Sequence, residues 1–248
     1  MTSTLAADSQ IQVGEYGQTE VLGITLNMTT ILGTLVAAVI LLAVGFFVRA
    51  KLVASANSGA KVPGGTQLFL ETIVKHFRDQ IQSFVGIKVA PFLVPVCLAL
   101  FLFILSANWL TFLPLHHYLP PPSADVNFVY ALALLMFIWW HAAGTRRHKG
   151  VGKHALHVLK GHYAPFAPMW VIEEVVHLLS LPLRLFGNML AGGILIMLLG
   201  LLPAYFNWIP IAGWKLFDMA IGLLQAYLFV LLTISYFSQA MEVHDEEH

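Results

Sequence analysis

Five stretches of this chain are long and apolar enough to cross a lipid bilayer, which leaves little choice of fold. Ile31 to Val48, Val89 to Leu115 and Val126 to Ala143 contain no Asp, Glu, Lys or Arg. Ala164 to Leu202 and Trp214 to Met241 are longer and carry only a few charges. A spanning helix needs about 20 mostly apolar residues. Backbone in hydrocarbon must satisfy its own hydrogen bonds, so such runs form helices. Of the 248 residues, 58% are hydrophobic and 10% charged, a balance that excludes an ordinary soluble domain. The 13 basic residues only match the 13 acidic ones, so no basic excess points to nucleic acid. The single cysteine, Cys97, lies in an apolar run and reads as a small core residue, with no disulfide framework possible.

Thr66 to Val85 differs. Leu68, Phe69, Ile73, Phe77, Ile81 and Phe84 recur at helical spacing among Glu71, Lys75, Arg78 and Asp79. Such a segment is too charged to span and should lie along the membrane surface. The first 28 residues contain no Lys or Arg, so they lack the basic start of a signal peptide. Basic residues also set the orientation. Arg49, Lys51 and Lys61 follow the first span, and Arg146, Arg147, Lys149, Lys153 and Lys160 follow the third. The segment Pro114 to Asp125 has none. This places the N-terminus outside and the C-terminus inside, with five spans. The expected divisions are residues 1–28 as an external segment, 29–241 as one integral domain and 242–248 as a cytoplasmic polar tail. Ala164 to Leu202 would reach nearly 60 Å as a continuous helix at about 1.5 Å per residue. The hydrocarbon layer is about 30 Å thick, so this helix must tilt, bend at Pro182 or project. Phe206 to Gly213 reads as the turn before the last helix.

Within that fourth run, Glu173, His177, Ser180, Arg184 and Asn188 follow one another at steps of four, three, four and four, along one helix face. The last helix carries a shorter stripe of Asp218, Gly222 and Gln225. Arg184 is the exceptional member. No acidic residue lies within nine positions on either side. An arginine at membrane depth costs about 2.5–3.5 kcal/mol on insertion scales. It cannot shed its proton to escape that cost. Ser180, Asn188 and Gln225 alone would fit a hydrogen-bond network that fixes helix packing. The permanent charge of Arg184 instead suggests a mobile or external counter-charge. Asp218, reaching across the helices, is its best internal partner.

Glu173, Glu174, His177 and Asp218 are titratable groups in membrane segments, which by default mark proton relays. Beside them, Arg184 would repel protons and favour the anionic form of a passing carboxylate. Two rivals remain from the residues alone. A stand-alone transporter would use Arg184 to bind an anionic substrate. A membrane anchor would use the polar stripe only for packing.

Ser180-Leu181-Pro182-Leu183-Arg184-Leu185-Phe186-Gly187-Asn188-Met189-Leu190-Ala191-Gly192 resembles the signature of subunit a of the F-type ATP synthase. Pro122 to Asn127, Asn108-Trp109 to Leu113-Pro114, and Leu224 to Phe229 with Leu232 to Tyr236 are similar to further stretches of that family. The resemblance covers about Val21 to the end. The tail and the Glu173-Glu174 pair resemble the actinobacterial branch.

The resemblance implies an all-α polytopic membrane protein. Five embedded helices and one amphipathic surface helix are expected, the last two long helices forming a steeply tilted hairpin against a ring of c subunits. It also implies two aqueous half-channels that carry protons to and from the ring carboxylates. Arg184 matches the essential arginine that prevents a short circuit, and Asn188 and Gln225 match polar positions facing the ring. The implied partners are the c-ring, peripheral-stalk b-type subunits, the lipid bilayer and protons, in a bacterial plasma membrane. No cofactor or metal is implied. No phosphate-binding loop is present, so ATP chemistry would belong to other subunits.

This chain departs from the pattern at three positions. Many relatives carry Glu where Gly193 stands, often His where Asp218 stands, and some an acid where Thr111 stands. Asp218 would then take over the relay role. Asp125 reads first as a helix cap for Val126 onward. Trp109, Trp139, Trp140, Trp208 and Trp214 read as interfacial anchors.

Overall fold

A computed structural model describes residues 18–21, 24–57, 65–86, 90–112, 121–148, 150–152, 167–203 and 205–241. Two short strands come first. β1 (Gln18–Val21) pairs antiparallel with β2 (Ile24–Asn27), with Val21 opposite Ile24 and Gln18 opposite Asn27. They lie in the segment 1–28, for which the sequence predicts no regular element. The rest is helical, as expected, with six long helices among the described residues.

Helix α1 (Met28–Asn57) runs past the charged pair that closes the first apolar run. Lys51 lies 5.3 Å from the Phe47 ring centre one turn earlier, which lets its stem follow the apolar surface. Helix α2 (Gly65–Phe84) turns Phe77 and Ile81 into the protein, with Ile73 packed beside them, and leaves Glu71, Lys75, Arg78 and Asp79 exposed. That is the expected amphipathic helix.

Helix α3 (Leu93–Trp109) buries Leu93, Cys97, Phe101, Ile104 and Asn108 along one stripe, and a 3-10 turn over Leu110–Phe112 extends it. Cys97 is buried as expected. A second 3-10 turn, Pro122–Ala124, leads into helix α4 (Val126–Arg147). The buried face of α4 is Val129, Ala133, Met136, Trp140 and Gly144. Trp140 is therefore a core residue and not an interfacial anchor, because it falls on this inward stripe one position beyond the exposed Trp139.

Helix α5 (Ala167–Gly200) is continuous through Pro182 and, with 34 residues at about 1.5 Å each, is about 51 Å long. Helix α6 (Trp208–Met241) begins six residues before the expected Trp214. Pro210 and Gly213 suggest a turn, yet Pro is tolerated in a first helical turn, where its missing N–H has no intrahelical partner. Among the described residues, four helices are long and apolar enough to cross a membrane: α1, α4, the Pro182–Gly200 part of α5, and α6. The apolar α3 is shorter, at 17 residues.

In the main core cluster α2, α3, α4 and the second half of α6 converge, with Phe229, Phe237, Trp140, Met136 and Ile81 fully enclosed, and a smaller cluster of Ala37, Ala107 and Leu110 joins α1 to the end of α3. The inward stripe of α6, from Gly222 and Gln225 through Phe229, Thr233 and Tyr236 to Ala240, keeps helical spacing over five turns. The turn Pro122–Ala124 touches α1, α3, α4 and α5, making it the junction at one end of the bundle.

Candidate functional site

Three arrangements put polar groups where an apolar bundle would not need them. The first is on α5. Its buried positions, Pro182, Leu185 and Gly192, repeat at three and seven residues and dock the helix on the bundle. The opposite side is open. Leu183 and Leu198 are more than half exposed, and Arg184, Gly187 and Ala191 stand exposed beside them. Gly187 and Ala191 follow Arg184 by three and seven residues, so the guanidinium lies at one end of a strip almost without side chains. A Cβ added at Gly187 would meet nothing within 4 Å. Ser180 and Asn188 are half-buried at the edges of this face. Glu173, Glu174 and His177 lie in the first turns of α5, but their side chains fall outside the described residues.

The second arrangement joins α3, α5 and α6. Gly192 lies against Asp218, since a Cβ there would sit 3.3 Å from Asp218 Oδ1. The absent side chain is what admits the carboxylate between the two helices. One turn further along α6, a Cβ at Gly222 would meet Asn108 at 3.3 Å and Trp109 at 3.7 Å. Asn108 Nδ2 donates to the carbonyl of Gly222 at 3.3 Å, and Trp109 Nε1 donates to that of Met219 at 3.3 Å. Asp218 is half-buried, one helical turn after the half-buried Lys215.

Asp218 therefore does not neutralise Arg184. It sits beside Gly192, eight residues or about 12 Å along α5 from the arginine. Gln225 is also not on the open face; it is 6% exposed, on the α6 stripe that packs inward. Arg184 and Asn188 share a helix side, as their spacing predicts, whereas Asp218 and Gln225 face into the protein. Thr111 lies in the 3-10 turn after α3, and its side chain is outside the described residues. Gly193 is exposed with open space around it.

The third arrangement is centred on Asp125. It caps α4 as expected, its Oδ1 accepting from the Asn127 N–H at 2.9 Å. It also does more. Its Oδ2 accepts from Asn27 Nδ2 and Thr30 Oγ1, both at 2.7 Å, so one buried carboxylate joins the start of α1 to the start of α4. On the same two segments, the hydroxyls of Thr29 and Ser123 are buried without a partner among the described residues. Sequence reading missed Asn27 and Thr30. The available signal was a pair of hydrogen-bonding side chains three residues apart at the mouth of an apolar run.

Comparison with known proteins agrees with this geometry. The family described as ATP synthase A chain matches residues 31–238. The chain is 46% identical to ATP synthase subunit a of Mycobacterium marinum over 257 aligned positions covering 100% of both chains. It is 45% identical to that of Mycobacterium leprae, covering 99% of each. With ATP synthase subunit a of Acidothermus cellulolyticus it shares 37% identity over 93% of this chain and 83% of the relative. An exposed arginine on an apolar helix and a match to these actinobacterial proteins over at least 93% of this chain lead to one conclusion: the chain belongs to the ATP synthase A chain family, the proton-channel membrane subunits of the Fo sector.

Proposed function

We propose that this chain is the stationary proton-translocating subunit of a rotary ATP synthase, and that α5 and α6 form a tilted hairpin against a ring of c subunits. One observation carries the reading. Arg184 is exposed on a helix face that is otherwise apolar, meets no acid among the described residues, and adjoins the small residues Gly187 and Ala191. A permanent charge in lipid is costly. The same charge facing a ring carboxylate holds that carboxylate ionised, an opposite charge lowering a carboxyl pKa by about 1–3 units. A protonated carboxyl arriving at Arg184 gives up its proton toward one half-channel, and the next one is reloaded from the other. Each proton moved across the membrane supplies about 2.3 kcal/mol per 100 mV.

Steep tilt of α6 is supported by its neighbour. His76 and Tyr227 hydrogen-bond at 2.9 Å, and Ser238 Oγ donates to the Phe84 carbonyl at 2.6 Å. α2 thus follows α6 between residues 227 and 238, about 16 Å of helix. A helix that exposes Glu71, Lys75, Arg78 and Asp79 stays at the water interface. The stretch of α6 beside it must then remain near that interface and cannot plunge straight across.

On this reading α3 is the fifth embedded helix, the N-terminal segment 1–28 lies outside, residues 29–241 form the integral domain in the bacterial plasma membrane, and the tail 242–248 is cytoplasmic. Asp218, held between Gly192 and α3, relays protons on the outer side, where the orphan hydroxyls of Thr29 and Ser123 suit internal water. Glu173, Glu174, His177 and Ser180 lie toward the cytoplasmic end of α5 and line the other half-channel, with Asn188 on the Arg184 side of the helix and Gln225 in the polar part of the α6 stripe that packs inward. The c-ring and peripheral-stalk b-type subunits are the partners, and ATP chemistry belongs to the rest of the complex.

The test is ATP-driven proton pumping in inverted membrane vesicles, wild type against Arg184→Ala, with assembly of the complex measured in the same membranes. Pumping should vanish in an assembled complex. Near-normal pumping would return Arg184 to a packing role.

A further inference from the structure

The last two turns of α4 border a cavity of about 460 Å³ that the proton route does not use. Its walls are Phe92, Trp139, Ala142 and Met241, and Arg146 and Arg147 stand at one end. Two aromatic rings, Phe92 and Trp139, line its floor, and the fully buried Phe237 braces them from behind. Phe92 and Trp139 stack at 6.3 Å and 20°, and Phe237 meets both edge-on at 6.1 and 6.2 Å. Trp139, Ala142 and Arg146 follow at steps of three and four, so apolar wall, small residue and cation lie in line along one helix face. The small side chain of Ala142 leaves the trough open between the ring and the charge.

Arg146 and Arg147 also oppose the negative end of the α4 dipole, and basic residues commonly flank spans on the cytoplasmic side. Neither role calls for an open aromatic trough beside them. A mostly apolar cavity with two permanent cations at its mouth, at the end of a spanning helix, matches an amphiphile with an anionic head. Its volume lies within the range of about 300–1,000 Å³ common for ligand sites. Basic pockets between spanning helices on the cytoplasmic side bind anionic lipid headgroups.

We propose that this trough binds an anionic phospholipid, its phosphate between Arg146 and Arg147 and an acyl chain along Ala142 against Trp139 and Phe92. The proposal rests on α4 spanning the membrane with Arg146 and Arg147 at the cytoplasmic surface. It is independent of the role given to Arg184.

The experiment uses the intact ATP synthase complex in phosphatidylcholine nanodiscs containing a phosphatidylglycerol with a photoactivatable acyl chain. Labelled peptides of this chain are mapped by mass spectrometry. Label should concentrate on the peptides holding Phe92 and Trp139, and unlabelled phosphatidylglycerol should compete far better than phosphatidylcholine. Arg146→Gln with Arg147→Gln should lower this labelling about tenfold. Ala142→Trp, which fills the trough and keeps both charges, should lower it as well, and decides the matter if the double variant fails to assemble. Equal labelling in the variants that assemble, equal competition by phosphatidylcholine, or cross-linking of a partner subunit's segment in place of lipid would each overturn the proposal. Because the readout is lipid and not proton flux, normal pumping by Arg184→Ala would leave it standing.

Discussion

Helices α1 and α5 expose large residues to a similar degree, but to different surroundings. On α1, Leu32, Leu35, Val39, Leu42 and Phe46 are 55%, 57%, 63%, 58% and 65% exposed, and bulky side chains follow one another without interruption. On α5, Leu183 and Leu198 are 54% and 55% exposed, yet between them the surface narrows to Gly187 and Ala191 beside a guanidinium. Exposure alone does not separate the two. Side-chain size and charge do. Lipid tails conform to any bulky apolar surface and offer nothing to a cation. A strip of small residues gains from a partner helix that approaches closely, and an arginine gains from a carboxylate. On this reading α1 faces acyl chains and α5 faces protein.

The sharpest way to break that contrast is to enlarge matched positions. Gly187→Phe should reduce ATP-driven pumping by about tenfold or more in an assembled complex, since a ring in the strip holds the rotating partner away from Arg184. Val39→Phe should leave pumping unchanged. Equal effects, or none at Gly187, would show that the two faces have the same kind of neighbour.

A smaller effect tests the polar site beside Gly192. Asp218→Asn keeps the shape of the group beside Gly192 but removes its proton exchange, and should slow pumping several-fold. Full flux across the pH range in that variant would make Asp218 a packing residue.

Smaller still for flux, though not for stability, is Asp125→Ala. It leaves Asn27, Thr30 and the Asn127 N–H without their acceptor, at a cost of about 1–3 kcal/mol for each buried group that finds no other partner. The complex should pump normally at low temperature and lose the first helix's packing earlier on heating, read as faster proteolysis of α1. Asp125→Asn, which retains an acceptor oxygen, should recover part of the loss.

Arg184, the amphipathic α2 and the apolar runs were legible because each is a local pattern: a charge without a neighbour, a helical period, a length set by bilayer thickness. What was not legible depends on long-range partners. Trp140 and Trp139 are adjacent and chemically identical, and only the packing of α4 decides that the first is enclosed and the second exposed. Gln225 resembles a ring-facing position, but α6 turns that stripe toward α3. Asp125 announced itself as a cap, whereas its bonds to Asn27 and Thr30 span 98 and 95 residues of sequence. The start of α6 at Trp208 differs from the expected Trp214 for a local reason, since Pro210 and Gly213 fit the first turns of a helix as well as they fit a loop.

The Asp125 clamp also orders events during synthesis. Its donors on Asn27 and Thr30 emerge from the ribosome 98 and 95 residues before their acceptor. At about 5–20 residues per second, the interval is of the order of 5–20 s. On the proposed reading α1 has lipid and then α3 as its neighbours through that time, and its uninterrupted bulky surface suits the first of these. When α4 inserts, one carboxylate fastens the earliest spanning helix to a later one, before α5 and α6 have been made. The bundle is thus tied at the Asp125 end before the arginine-bearing helix arrives, while the α6 side of its core is still to come.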